Sequence, residues 1–258
     1  MSSFTAEWLA LREPADAAAR SAALAASFAP RAKRVVDLAS GTGANVRYLA
    51  PRLPGVRRWL AVDRDPQLLA AAAWPAGANV ATLRLDLARA LDELPLEKRD
   101  LVTASALLDL VSGSWLARLA ARCAAAEADV LFALTYDGRI EWSPADAGDE
   151  RVRELLNRHQ LGDKGFGPAL GPGAARAAVE VFEALGYEMR AKRSDWSLGP
   201  ESGALQAALI DAWASAAAEI ASGEAGALRE WAKRRHAHVA SGHSRLRVGH
   251  RDVAGERP

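Results

Sequence analysis

Three aspartates, Asp37, Asp63 and Asp86, each close an apolar run, and the first leads directly into Ala39-Ser40-Gly41-Thr42-Gly43. The run Arg34 to Leu38, followed by two glycines and then by the helical pattern Asn45 to Leu53, reads as strand, tight turn and helix. Gly41 and Gly43 lack Cβ, so the backbone there can take positive φ and bring its N–H groups close to a ligand at the positive end of the next helix. An anionic or polar ligand is expected at that turn. Asp63 stands 20 residues beyond Gly43. Doubly wound nucleotide-binding folds place an acid there to take two ribose hydroxyl protons.

The spacing separates two cofactor classes. A dinucleotide fingerprint requires a third glycine where the helix packs on the strand, but Val46 occupies that position, which counts against a nicotinamide-dependent oxidoreductase and leaves it as an alternative reading. The pattern Asp37-x-Ala39-x-Gly41-x-Gly43 resembles the first motif of the class I S-adenosylmethionine-dependent methyltransferases, which usually have glycine where Ala39 stands. The resemblance covers residues 30 to 136 and, more faintly, 173 to 196 and 244 to 250. It implies a methyltransferase in which the turn Asp37, Ala39, Ser40, Gly41 and Gly43 receives the amino-acid end of S-adenosylmethionine. It further implies that Asp63, with Arg64 beside it, holds the ribose, that Asp86 or the backbone at Leu87 reads the adenine, and that the sulfonium methyl points towards Ser105. Asp86 has a second reading as a helix N-cap before Leu87 to Leu91. A non-catalytic cofactor-binding module is a further alternative.

Methyl transfer is an in-line displacement, so a nucleophile must be held roughly 3–3.5 Å from the methyl group with water excluded. The loop Ser105 to Asp109 contains no proline, unlike the loops with which base-amino methyltransferases grip a flipped base. Cys123 lies on an apolar helix face, not on an exposed loop where a cysteine nucleophile would act. A small polar acceptor methylated on oxygen or nitrogen is therefore expected. His159, whose unperturbed pKa lies near about 6.5, is the candidate general base, with Tyr136, Asp137 or Asp109 as positioning partners. Trp142 and Trp196 lie just past strand ends and either line the acceptor pocket or simply pack. Lys233-Arg234-Arg235 reads as the wet face of an amphipathic helix, with RNA methylation as the alternative use. His236, His238, His243 and His250 lack metal-ligand spacing, so no metal is expected and they read as solvated polar residues.

These groups must be positioned by a fold that the rest of the chain describes. Half of the 258 residues are apolar, enough for a sizeable core, and the net charge of +1 gives no bulk electrostatic reason to expect nucleic acid or an anionic membrane. One cysteine and no apolar run long enough for a membrane span point to a reducing, cytoplasmic setting. Phe4 to Phe28 reads as one or two helices, with Pro14 in a first turn. Strands are expected at Arg58 to Val62, Val80 to Leu85, Asp100 to Ala104 and Asp129 to Thr135, then around Tyr187 to Lys192 and at Arg245 to Val248. Helices are expected from Pro66 to Trp74, after Ser112 or Ser114, and at Asp149 to Gln160 and Ala174 to Leu185. Together they predict one domain, residues 1–258, built as a three-layer αβα sandwich on a mostly parallel seven-stranded sheet. Residues 1–30 supply N-terminal helices. Residues 137–171 and 197–243 exceed the usual connection of about 2–6 residues and are expected as helical cap insertions on the ligand side.

Overall fold

The computed structural model describes residues 5–257; Phe4, the start of the expected N-terminal helices, lies outside them. In chain order the elements are α1 (Ala6–Ala19), α2 (Ala22–Ala26), β1 (Arg34–Leu38), α3 (Ala44–Leu49), β2 (Arg58–Asp63), α4 (Pro66–Ala70), β3 (Val80–Arg84) and β4 (Leu101–Ser105). They continue with α5 (Gly113–Ala125), β5 (Asp129–Ser143), α6 (Asp149–Gln160), α7 (Ala174–Glu183), β6 (Glu188–Arg193), β7 (Trp196–Leu198), α8 (Gly203–Ile220), α9 (Ala225–Ala240) and β8 (Arg245–Glu256).

Strands β1, β4 and β5 are buried at successive positions because both faces of the sheet are covered. On one face Val36, Val102, Leu116, Phe132 and Phe182 join the sheet to α5 and α7. On the other, Leu24, Phe28, Val35, Leu49 and Trp59 join it to α2 and α3. The sheet has the order β3-β2-β1-β4-β5-β8-β6, parallel except around β8, which runs antiparallel to β5, β6 and β7. This is the expected αβα sandwich with an eighth, three-residue strand: β6 and β7 follow one another along the same edge of β8, separated by Ser194 and Asp195.

Several boundaries differ from expectation for local reasons. Pro14 lies inside α1, an exposed helix that gives up the proline's backbone donor yet keeps side-chain contacts with the core. Helix α3 stops at Leu49 and tightens into a 3₁₀ turn over Ala50–Arg52, where Pro51 has no N–H to donate. Helix α4 ends at Ala70, short of the expected Trp74, because Pro75 disfavours helix in the residue before it. No α-helix forms at Leu87 to Leu91. Asp86 accepts the Ala88 N–H at 3.0 Å, closing a turn instead of starting a helix.

The largest difference is in β5, which runs to Ser143 beside β8. The connection expected to begin at residue 137 thus leaves the sheet only after Ser143. Beyond the sheet's main body, α6, α8 and α9 pack a third core of Trp142, Leu155, Leu209, Trp213 and Trp231 against the outer halves of β5 and β8, and Trp8 and Leu11 of α1 lean on it. No helix among the described residues is long and apolar enough to cross a membrane.

Candidate functional site

At the turn after β1, Ala39, Gly41 and Gly43 have φ of 51°, 54° and 83°. Left-handed backbone of this kind is costly for any residue with a Cβ, so Ala39 is strained where the two glycines are not. Asp37 fixes the turn from beneath. Its carboxylate accepts Ser40 Oγ at 2.6 Å and Asn45 Nδ2 at 2.5 Å, and Asn45 also reaches Thr103 Oγ1 of β4 at 3.2 Å. Burial outweighs these hydrogen bonds and pushes the Asp37 carboxyl up to about 6. Asp63 fixes the turn from the side, its two oxygens accepting the N–H groups of Gly41 at 2.8 Å and Asp65 at 2.9 Å. A Cβ on Gly41 would come within 2.9 Å of Leu9 Cδ1, and one on Gly43 within 2.6 Å of the Trp74 ring. Neither glycine tolerates a side chain, since α1 and Trp74 roof the turn.

Arg64 and Asp86 line a neighbouring cleft of about 470 Å³ with Asp65, Pro66, Arg84 and Leu85. Leu87 does not face it: its side chain is in the core and its carbonyl accepts Trp115 Nε1 at 2.6 Å. Ser105 ends β4 opposite Ala133 of β5.

A second cluster lies further along β5, where the strand is irregular twice. The register with β8 shifts between Phe132 and Thr135, where Leu134 has φ 54°, and again between Tyr136 and Ile140, where Gly138 has φ 89°. Bulges of this kind re-aim side chains. Between them Tyr136 faces His250 of β8, with ring centroids 6.1 Å apart. The outer edge breaks at the same level: the Ser194 N–H donates to the His250 carbonyl at 3.0 Å, and the His250 N–H donates to Asp195 Oδ1 at 3.2 Å. Arg139 ties this break to the second bulge by pairing with Asp137 at 2.6 Å and Asp195 at 2.7 Å.

His250 is buried, contrary to its reading as a solvated residue, because β8 continues past Val248 into the sheet. Its Nδ1 is 3.0 Å from the Val248 carbonyl, which assigns the ring proton to Nδ1 and leaves the Nε2 lone pair as acceptor. Burial holds the imidazole's pKa down to about 4, so it is neutral at pH 7. Trp196 packs on it at 4.9 Å and donates Nε1 to Asp16 of α1 at 3.0 Å. The Tyr136 hydroxyl donates to Asn157 Oδ1 at 2.8 Å, and its own pKa is raised by burial. Asp109 is buried beside Arg12 and the Tyr136 main chain, its Oδ1 has no partner, and burial raises its carboxyl to about 6.

The structure thus joins Asp109 and Tyr136 with Asn157, Trp196 and His250, but it does not bring His159 to them. His159 follows Asn157 by two residues, about 200° around the helix, and pairs instead with Glu219 at 3.1 Å and Lys164 at 3.3 Å. Trp142 packs in the core under α6, α8 and α9, edge-on to Trp213 and Trp231. The basic run does not form one wet face. Arg235 is fully buried, stacked over Trp142 and bonded to Asp149 and the Pro144 carbonyl, whereas Arg234 is exposed and pairs with Asp146. His250 was hidden from sequence reasoning because the alternation Arg245 to Val248 gave no sign that the strand continued to Glu256.

Residues 35–128 match a family described as a methyltransferase domain. No curated protein matches the sequence. Among solved structures, the chain is similar to a candidate type II methyltransferase from Anaeromyxobacter dehalogenans, with 17% identity, 92% of this chain and 96% of the other covered, and a TM-score of 0.50. It is also similar to a cyclopropane-fatty-acyl-phospholipid synthase-like protein from Lactobacillus casei, with 16% identity, 96% and 94% covered, and a TM-score of 0.50. At these identities the likeness is one of fold.

Proposed function

We propose, from the premise that this chain is built on a class I S-adenosylmethionine-dependent methyltransferase domain, that it methylates an oxygen or nitrogen of a small polar acceptor held between the ends of β4 and β5 and the helical cap. The turn suits the cofactor: it offers left-handed backbone that a side chain would fill, and in this reading the Asp63 carboxylate beside it accepts the ribose hydroxyls. In this reading Asp37, Ala39, Ser40, Gly41 and Gly43 cradle the amino-acid end, Arg64 and Asp86 flank the nucleoside, and Ser105 stands nearest the transferred group. The cofactor, when bound, supplies an electrophilic methyl group.

The observation that carries the acceptor assignment is the meeting of three strand irregularities, at Leu134, at residues 137–139 and at Ser194-Asp195, around the pair Tyr136 and His250. Backbone strain and bulges concentrated at one level of a sheet are the mark of a site whose side chains are being aimed. In this reading His250 Nε2, whose lone pair is free, accepts the proton of a hydroxyl or amine, the role the sequence suggested for His159. Asp109 and Tyr136 orient the bound molecule, Trp196 shields it from water, and Asn157 holds the Tyr136 hydroxyl. The interruption of the basic run by buried Arg235 supports a small acceptor over RNA.

The acceptor can be found by incubating metabolite extracts with labelled cofactor. His250→Ala is then expected to lower transfer by about 10²–10⁴-fold, the usual contribution of a general base, with S-adenosylhomocysteine affinity unchanged. His159→Ala is expected to leave the rate as it is. A fully active His250→Ala would overturn the assignment.

A further inference from the structure

Arg20 closes the C-terminal end of α1 and is a buried cation that makes no ion pair among the described residues. Only 8% of its surface is exposed, and its guanidinium lies 4.0 Å from the centre of the Tyr48 ring, one turn into α3 from Gly43. Among the described residues it makes no hydrogen bond and no ion pair through its side chain, and Nε is enclosed with no acceptor. Its backbone carbonyl, by contrast, is held by the Tyr48 hydroxyl at 3.4 Å, so the residue is placed.

The nearby carboxylates are already occupied. Asp252 accepts the N–H groups of Ser21 at 2.7 Å and Leu134 at 2.9 Å. Asp37 is taken by Ser40 and Asn45, and Asp16 by Arg12 and Trp196. These charges favour a cation at this position without satisfying its five N–H donors, and stacking on an aromatic face leaves the donor edge unused. Burying an arginine in this way is costly unless a planar, bidentate anion completes it.

We infer that Arg20 binds the carboxylate of the cofactor's amino-acid moiety. This inference rests on the cofactor assignment above. The placement supports it: Tyr48, in the helix that follows the turn, holds the guanidinium on its ring with Arg52 also stacked there, and Asp37 at the floor of the turn lies close enough to feel the Arg20 charge. Arg20 thereby makes the site selective for a ligand with an intact α-carboxylate, and the tail of α1 becomes part of the cofactor site.

The test is calorimetric, on the whole protein, with S-adenosylmethionine, decarboxylated S-adenosylmethionine and 5′-methylthioadenosine. The wild type is expected to bind S-adenosylmethionine about 10- to 100-fold more tightly than the decarboxylated form, the range for hydrogen bonds between charged groups. Arg20→Met is expected to erase that preference without weakening 5′-methylthioadenosine, and Arg20→Lys to keep part of it. Equal affinity of the wild type for the carboxylated and decarboxylated ligands would overturn the proposal without any variant, as would an Arg20→Met protein that kept the preference. A wild type that bound none of the three ligands would instead break the cofactor assignment itself.

Discussion

Around Gly41 the chain builds its contacts from main-chain atoms and side chains that lie mostly between residues 37 and 65: Asp37 with Ser40 and Asn45, and Asp63 with the Gly41 and Asp65 N–H groups. Around His250 it builds them from side chains carried by six separate segments, on which Arg12, Asp109, Tyr136, Asn157, Trp196 and His250 stand. The first region is shaped by backbone geometry that two carboxylates fix locally. The second has a shape set by how distant segments, α1, α6 and β7 among them, pack against β5 and β8. The two share α1, which lays Leu9 and Glu13 over the turn and Arg12 and Asp16 against Trp196 on the His250 side.

If the two regions are energetically distinct, damage to the cap core should leave the turn working. Trp231 is fully buried, edge-on to Trp142, and donates Nε1 to Asp149 at 2.9 Å. Trp231→Ala is expected to cost about 3–5 kcal/mol of stability in denaturant titrations. Below its unfolding midpoint the variant should still bind S-adenosylhomocysteine within a few-fold of wild type. Loss of binding in a folded variant would merge the two regions into one.

Asp63→Asn tests the turn in the opposite sense. It keeps an acceptor oxygen for one N–H but removes the charge and the second acceptor, so cofactor affinity should fall by about 1.5–3 kcal/mol in calorimetry. A fall in stability with no fall in affinity would make Asp63 a brace for Gly41 and Asp65 alone.

The smallest effect sharpens the description of the backbone. Ala39 sits at φ 51°, a left-handed conformation that costs a residue with a Cβ about 1–2 kcal/mol. Ala39→Gly removes that cost but adds flexibility to the unfolded chain worth about 0.5–1 kcal/mol, leaving a net gain of about 0.5–1 kcal/mol. A higher midpoint of chemical unfolding is the expected reading, and a lower one would mean the methyl group packs well enough to outweigh the strain.

The turn was legible in the sequence because its determinants are local: glycines that need positive φ, an acid at a strand end, and the distance to the next acid. The parallel strands were legible for a similar reason, since burial on both faces leaves an unbroken apolar run. What escaped were features decided by distant partners. Nothing near residue 137 announces that β5 will continue to Ser143, because that stretch is held by β8 more than a hundred residues later. His159 stood out in sequence as the residue of its helix that titrates near neutral pH, and only the position of Tyr136 shows that Asn157 is the one that meets the strand. Lys233, Arg234 and Arg235 read as a single charged patch until Asp149 and Trp142 claim one member of it.

The interruption between β6 and β7 has a consequence for how molecules of this protein meet one another. A sheet that ended in one long, regular strand beside β8 would present a continuous row of unpaired N–H and C=O groups, an invitation to add a strand from another chain. Here the row is broken at Ser194 and Asp195, and the exposed side chains of β6 before the break include Glu188, Arg190, Lys192 and Arg193. The interruption and the charges discourage edge-to-edge growth, so the irregularity beside His250 also works against association through this edge.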